Sequence, residues 1–350
     1  MQTDDIGNDA IRNDDIGIVS AGVYVPRTYQ SAAEIAELSG IPEEIVITKL
    51  GIVRKPVPGP DDHTNAMARW AAVDALLHAD VDPMDIDVVL CTTEEWKEHP
   101  LWTAGIHLAH EIGARRAWAI DVQMRCATTM TALKMAKALM RSDPDIRTVL
   151  IAGGYRNGDF VNYRDPSTRF LYNLAAGGGA LLLQKGHGKN RLRASDIRVD
   201  GSFSLDVIPR AGGTVEPLTD AAVETGRHYL TCTDPEGMKE RLDRLSMQNF
   251  LGVVDTALEK SGYGRGDIGY LNILHMKPSA HRFILEELGL REDQTSYLDH
   301  YGHIGQQDQA ISIQLGLESG RLRDGMVMVM VAAGIGYAWS ASVVEWGPVT

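Results

Sequence analysis

Short apolar runs alternate with runs of helical periodicity through most of the chain, and this alternation is the feature that most restricts its fold. Apolar, β-rich runs are read at Gly17–Pro26, Asp87–Thr93, Trp118–Asp121, Thr148–Gly154, Leu174–Leu183, Ile268–Leu274, Met326–Gly336 and Tyr337–Trp346. Between them, apolar residues recur at helical spacing in Ser31–Leu38, Asn65–Ala79, Thr103–Ile112, Thr128–Met140, Arg241–Lys260, Ala280–Leu288 and Ala310–Leu317. Strands alternating with helices predict an α/β layered protein. The order strand, reactive residue, helix, strand occurs in both halves, which hints at a duplication. Lys185–Arg193, rich in glycine and cations, is the most linker-like segment, so residues 17–190 and 191–350 are expected as two halves, after an acidic leader over 1–16.

A single cysteine occupies the most chemically suggestive junction. Cys126 falls between the strand Trp118–Asp121 and the helix starting at Thr128, where free backbone N–H groups and the helix dipole favour a thiolate. A thiolate there is a ready acyl acceptor. From this stretch alone, a small buried hydrophobe is the favoured reading, and the rest of the chain reverses that preference. His275 comes at the end of a strand, and His303 sits in the turn His300–Gly305 before a helix. With Asp299 and His300 these histidines can also be read as a metal cluster, a reading that demands several ligands at fixed geometry. Glu94 directly follows Thr92-Thr93 and is one of four charged groups on its loop, with Glu95, Lys97 and Glu98.

Composition narrows the class of function. At 350 residues, 44% hydrophobic and 23% charged, the chain suits a soluble globular protein of two domains or one duplicated unit. A net charge of -13 argues against nucleic-acid or anionic-membrane partners, but leaves room for an acidic ligand on a local basic patch. Cys91, Cys126 and Cys232 cannot all pair within one chain and match no zinc spacing, so a cytoplasmic location is expected. The first ten residues lack the cationic-then-apolar order of a signal peptide, and the apolar run Met326–Gly336 is too short to span a bilayer.

Taken together, Ile18–Pro26, Gly51-Ile-Val-Arg54, Asp121–Cys126, the strand ending at His275, Tyr301-Gly302 and Ala333–Trp339 resemble the thiolase superfamily, most closely its ketoacyl-acyl-carrier-protein synthase III branch. The resemblance covers nearly all of 17–346 and implies a duplicated, layered αβαβα fold. It also implies a homodimer, alone or within a larger complex, that takes acyl-coenzyme A or acyl carrier protein as substrate, with no permanently bound cofactor and no metal. By position, Cys126 is the expected nucleophile, with His275 and His303 as two neutral imidazoles donating Nε2–H to the acceptor's thioester oxygen. The N–H of Cys126 and one from Gly334-Ile335-Gly336 form the expected oxyanion hole. Arg54 and Arg169 match places where the family meets the coenzyme's phosphates or adenine. The family's loop at His99–Trp102 reaches into the partner's acyl pocket.

Where the branch usually has asparagine, this chain has His303, and a Cys-His-His set resembles the chain-elongating branch instead. The asparagine that commonly follows the strand histidine is also missing after His275. Glu94 matches the general base of hydroxymethylglutaryl-coenzyme A synthases. The expected function is therefore a Claisen-type condensation in a specialised pathway. The alternatives are an aldol enzyme using Glu94, acyl transfer to oxygen, nitrogen or an aromatic carbon, and a non-catalytic subunit that keeps the fold.

Overall fold

The computed structural model describes residues 15–348; most of the predicted leader lies outside them. The strands are β1 (Ile16–Tyr24), β2 (Thr28–Ser31), β3 (Arg54–Val57), β4 (Val88–Cys91), β5 (Trp118–Asp121), β6 (Thr148–Tyr155) and β7 (Gly177–Lys185), followed by β8 (Lys189–Val199), β9 (Val207–Pro209), β10 (Leu230–Cys232), β11 (Ile268–Ile273), β12 (Val327–Gly334) and β13 (Ala338–Pro348). Nine of them form one mixed sheet in the order β11-β12-β13-β8-β1-β7-β6-β4-β5. Its two arms follow the same plan. In each, parallel strands (β5, β4 and β6 in one, β11 and β12 in the other) lie at the outer edge and antiparallel pairings lie inside, and the arms join through a single pair, Gly17 with Arg191.

Helices complete the layers. Thr64–Ala79 covers β1, β6 and β7 from outside, and Pro235–Glu259 covers β8, β12 and β13. Between the arms lie Thr128–Ser142, touching β6 on one side and β8, β12 and β13 on the other, and Asp308–Glu318, touching β1, β7 and β11. Their sequences explain the placement: Met130, Leu133, Ala136 and Met140, and Ala310, Ile311 and Ile313, are all buried. The first helix, Ala32–Ser39, begins at the predicted Ser31, which forms a reciprocal capping box with Glu34.

The linker reading of Lys185–Arg193 is corrected. Only a turn at Gly186, with φ +78°, separates β7 from β8, and β8 is an 11-residue strand within the sheet. Its cations pair rather than solvate: Arg191 meets Glu345 at 2.6 Å across the β8–β13 ladder. No helix among the described residues is long and apolar enough to cross a membrane.

Candidate active site

β5 delivers the chain to Cys126 through a tight, clasped turn. Thr128 donates its hydroxyl to the Arg125 carbonyl at 2.5 Å and accepts the Met124 N–H at 2.8 Å, while Arg125 adopts a left-handed φ of +50°. Cys126 then lies in a single 3₁₀ turn just before the helix Thr128–Ser142, 6% exposed. The end of β12 presses on the same turn. A Cβ added at Gly334 would lie 2.8 Å from the Met124 carbonyl oxygen and 3.2 Å from the Cys126 nitrogen, so only glycine permits this approach.

From the opposite half, the turn after Tyr301 brings His303 against the sulfur. Nε2 of His303 lies 3.0 Å from Cys126 Sγ, and Nδ1–H donates to Asp308 Oδ2 at 2.6 Å. Asp308 is fully buried at the start of its helix and also accepts the N–H groups of His275 at 2.8 Å and Ile304 at 2.7 Å. Burial alone would favour a neutral His303 ring. The adjacent Cys126 sulfur and the Asp308 carboxylate outweigh it, holding the imidazole well above its ordinary range.

His275 behaves differently. Its Nε2 lies 2.9 Å from the Gly51 carbonyl oxygen and its Nδ1 2.9 Å from the side-chain amide of Asn173. Burial pushes its pKa down to about 4, so the ring is neutral, donating from Nε2 and accepting at Nδ1. In place of two imidazoles presenting Nε2–H to one open point, His303 Nε2 faces Cys126 Sγ and His275 Nε2 faces the Gly51 carbonyl.

Two cavities meet at Cys126. The first, about 410 Å³, is lined by Cys126, His275, His303, Ile335, Arg169 and Lys277, with apolar walls from the helix Pro235–Glu259. The second, about 220 Å³, runs to the other side of the sulfur past Glu94, Arg125, Tyr155 and Asn157, under a cap contributed by β9 and β10. Glu94 is 1% exposed, and its carboxylate pairs with Arg125 at 2.9 Å; burial raises its pKa and the guanidinium restrains the rise.

Cys126, His275, His303, Glu94 and Ile335 therefore converge, Gly336 follows Ile335 directly, and Arg169 stands in the first cavity. Arg54 does not join them: its guanidinium stacks 4.3 Å above the Tyr29 ring, a cation–π contact that holds it outside both cavities. His99 and Trp102 line a separate hollow with His63 and His107. No group of three or more His, Cys, Asp or Glu among the described residues is arranged to hold a metal ion. Sequence reading missed Asp308, Arg125 and Asn173. An acid five residues after a turn histidine, opening a helix, is a legible sign of the first; the other two carry no signal of their own.

Comparison with known proteins places the chain as a whole among its relatives. Residues 120–201 match the family model for 3-oxoacyl-[acyl-carrier-protein] synthase III, and residues 258–346 match the model of its C-terminal part. A β-ketoacyl-[acyl-carrier-protein] synthase III from Sulfurovum is 26% identical over 93% of this chain and 94% of its own. A 3-oxopimeloyl-[acyl-carrier-protein] synthase from Rhodothermus marinus is 28% identical over 94% and 93%. The crystal structure of 3-oxoacyl-[acyl-carrier-protein] synthase III from Aquifex aeolicus superposes with a TM-score of 0.81 at 19% identity, covering 95% of this chain and all of that one. With its cysteine turn, layered fold and full-length relatives, the chain is a thiolase-fold condensing acyltransferase similar to the 3-oxoacyl-[acyl-carrier-protein] synthases III.

Proposed function

We propose that the protein loads an acyl group from a coenzyme A or acyl-carrier-protein thioester onto Cys126 and transfers it to a carbon nucleophile. The observation that carries this reading is the chain Cys126–His303–Asp308 standing where the two cavities meet. The thiolate adds to the donor carbonyl, and the resulting oxyanion lies between the N–H of Cys126 and the Ile335-Gly336 turn. Collapse expels the donor thiolate, which takes its proton from His303. The acyl group occupies the second cavity. At about 220 Å³ that cavity is the smaller of the two and suits a short chain. The acceptor thioester then enters the first cavity, with Arg169 and Lys277 facing its phosphates. Loss of carbon dioxide from an α-carboxylated acceptor leaves its α-carbanion, which attacks the acyl-cysteine; a carbon–carbon bond forms, the Cys126–carbonyl bond breaks, Cys126 leaves as the thiolate, and His303 regains its proton from solvent.

Intact-mass spectrometry with acyl-coenzyme A thioesters of two to twelve carbons tests the first half-reaction. The expected result is one acyl adduct on wild type, strongest for the short chains and absent from Cys126→Ala. No adduct from any coenzyme A or carrier-protein donor overturns the reading.

One observation favours a second reading of the acceptor step. With His275 Nε2–H committed to Gly51, only His303 faces the sulfur, and Glu94 offers a buried carboxylate on the far side. That set suits deprotonation of an acceptor that loses no carboxylate, either an aldol carbon acid or an oxygen or nitrogen nucleophile. Glu94→Gln separates the two: decarboxylative condensation survives it, whereas the proton-abstracting version loses roughly 10²-fold or more.

The same reading divides the chain into a half carrying the cysteine, 17–190, and one carrying the histidines, 191–350. It pairs two chains through the edge strand β5, whose Trp118 is 45% exposed. The three unpaired, buried cysteines suit a reducing cytoplasm.

A further inference from the structure

Lys55 points inward from β3 and is 1% exposed, with no carboxylate in ion-pair range among the described residues. Its ammonium donates to the Leu174 carbonyl at 2.5 Å and stands 5.3 Å from the centre of the Tyr163 ring. Burying an ammonium against one carbonyl and one ring face is unfavourable, and a methionine would fill the same space without that desolvation penalty. Burial drives the lysine pKa down to about 7.

What the ammonium grips connects it to the reacting groups. The Leu174 carbonyl belongs to the same peptide unit as the Ala175 N–H, which donates to the His303 carbonyl at 3.0 Å. One residue earlier, Asn173 accepts the His303 N–H at 2.7 Å and holds His275 Nδ1 with its side-chain amide. Leu174 itself walls both cavities. Gly302, at φ +60°, lets the two segments close together; a Cβ there would lie 3.0 Å from Lys55 Cβ and 2.5 Å from the Asn173 carbonyl oxygen. The strap 173–175 therefore carries both imidazoles, and Lys55 is bonded to its middle peptide.

We propose that Lys55 is a positioning residue whose ammonium fixes the 174–175 peptide and thereby sets the placement of His303 against Cys126 and of the wall shared by the two cavities. It touches neither sulfur nor thioester. The inference rests on Cys126 and His303 being the reacting pair, so its test uses iodoacetamide, which alkylates the cysteine without any acyl donor.

Cys126 alkylation is followed by intact mass across pH for wild type, Lys55→Met and Lys55→Gln, with Tm measured alongside. In Lys55→Met, alkylation is expected to slow roughly 10-fold to 10²-fold, the scale of a small misplacement at a reacting centre, and its pH profile to shift, while Tm is unchanged or higher. Lys55→Gln, which keeps an N–H donor, falls between Lys55→Met and wild type. A Lys55→Met protein with the wild-type rate and profile overturns the proposal. So does one that fails to fold or melts earlier, because Lys55 would then be a stabilising residue. If wild-type Cys126 reacts no faster than an ordinary thiol, the reacting-pair reading falls first and takes this proposal with it.

Discussion

Replacing Asp308 by asparagine keeps the shape of the side chain but removes the charge that orients His303. Cys126 alkylation and acylation at neutral pH are then expected to fall roughly 10²-fold or more, measured by stopped-flow or intact mass, with the circular dichroism spectrum unchanged. The three buried histidines also set the pH dependence of stability. His275 and His281 have folded pKa values of about 4, below their ordinary 6.5. The unfolded chain therefore binds their protons more tightly, and stability is lost as pH falls from 6.5 towards 4. His303 runs the other way. Its folded pKa is raised, so its contribution is fully present below 6.5 and is lost as pH climbs through the folded value. His281 packs edge-on against Tyr297 and leaves its buried Nδ1 without a partner. His281→Leu is accordingly expected to flatten the Tm-against-pH curve below 6.5 and to leave acylation intact.

At the scale of elements, the period of apolar residues located nearly every long helix and strand, because burial on one face leaves a direct record in the order of side chains. The failures have physical causes of their own. Lys185–Arg193 reads as a solvated linker because its cations meet their carboxylates only through long-range pairing, Arg191 with Glu345 being 154 positions apart. The places of Cys126 and His303 at element boundaries were legible in the sequence, whereas Glu94 stood out from its charged loop only through the resemblance to hydroxymethylglutaryl-coenzyme A synthases. The commitment of His275 to the Gly51 carbonyl was not legible, since it depends on a contact 224 positions away. The contact between the end of β12 and the cysteine turn gives a sharp test. Gly334→Ala places a methyl against the Met124 carbonyl and the Cys126 nitrogen, so acylation is expected to drop roughly 10²-fold while the protein stays folded, checked by adduct kinetics and circular dichroism.

Across the whole molecule, the two arms of the sheet bring Cys126 and His303 to a common point. The outer edge at β5 remains open to pairing. Light scattering on the purified protein is expected to give twice the 38.3 kDa chain mass, and Trp118→Asp to shift that mass towards one chain. The meeting of two cavities at a single sulfur also governs traffic. The spent thiol must withdraw along the corridor by which the acceptor arrives, so the two half-reactions take turns and never overlap. Rate plots at several fixed acceptor concentrations should run as parallel lines, and excess donor should slow turnover by standing in the acceptor's way.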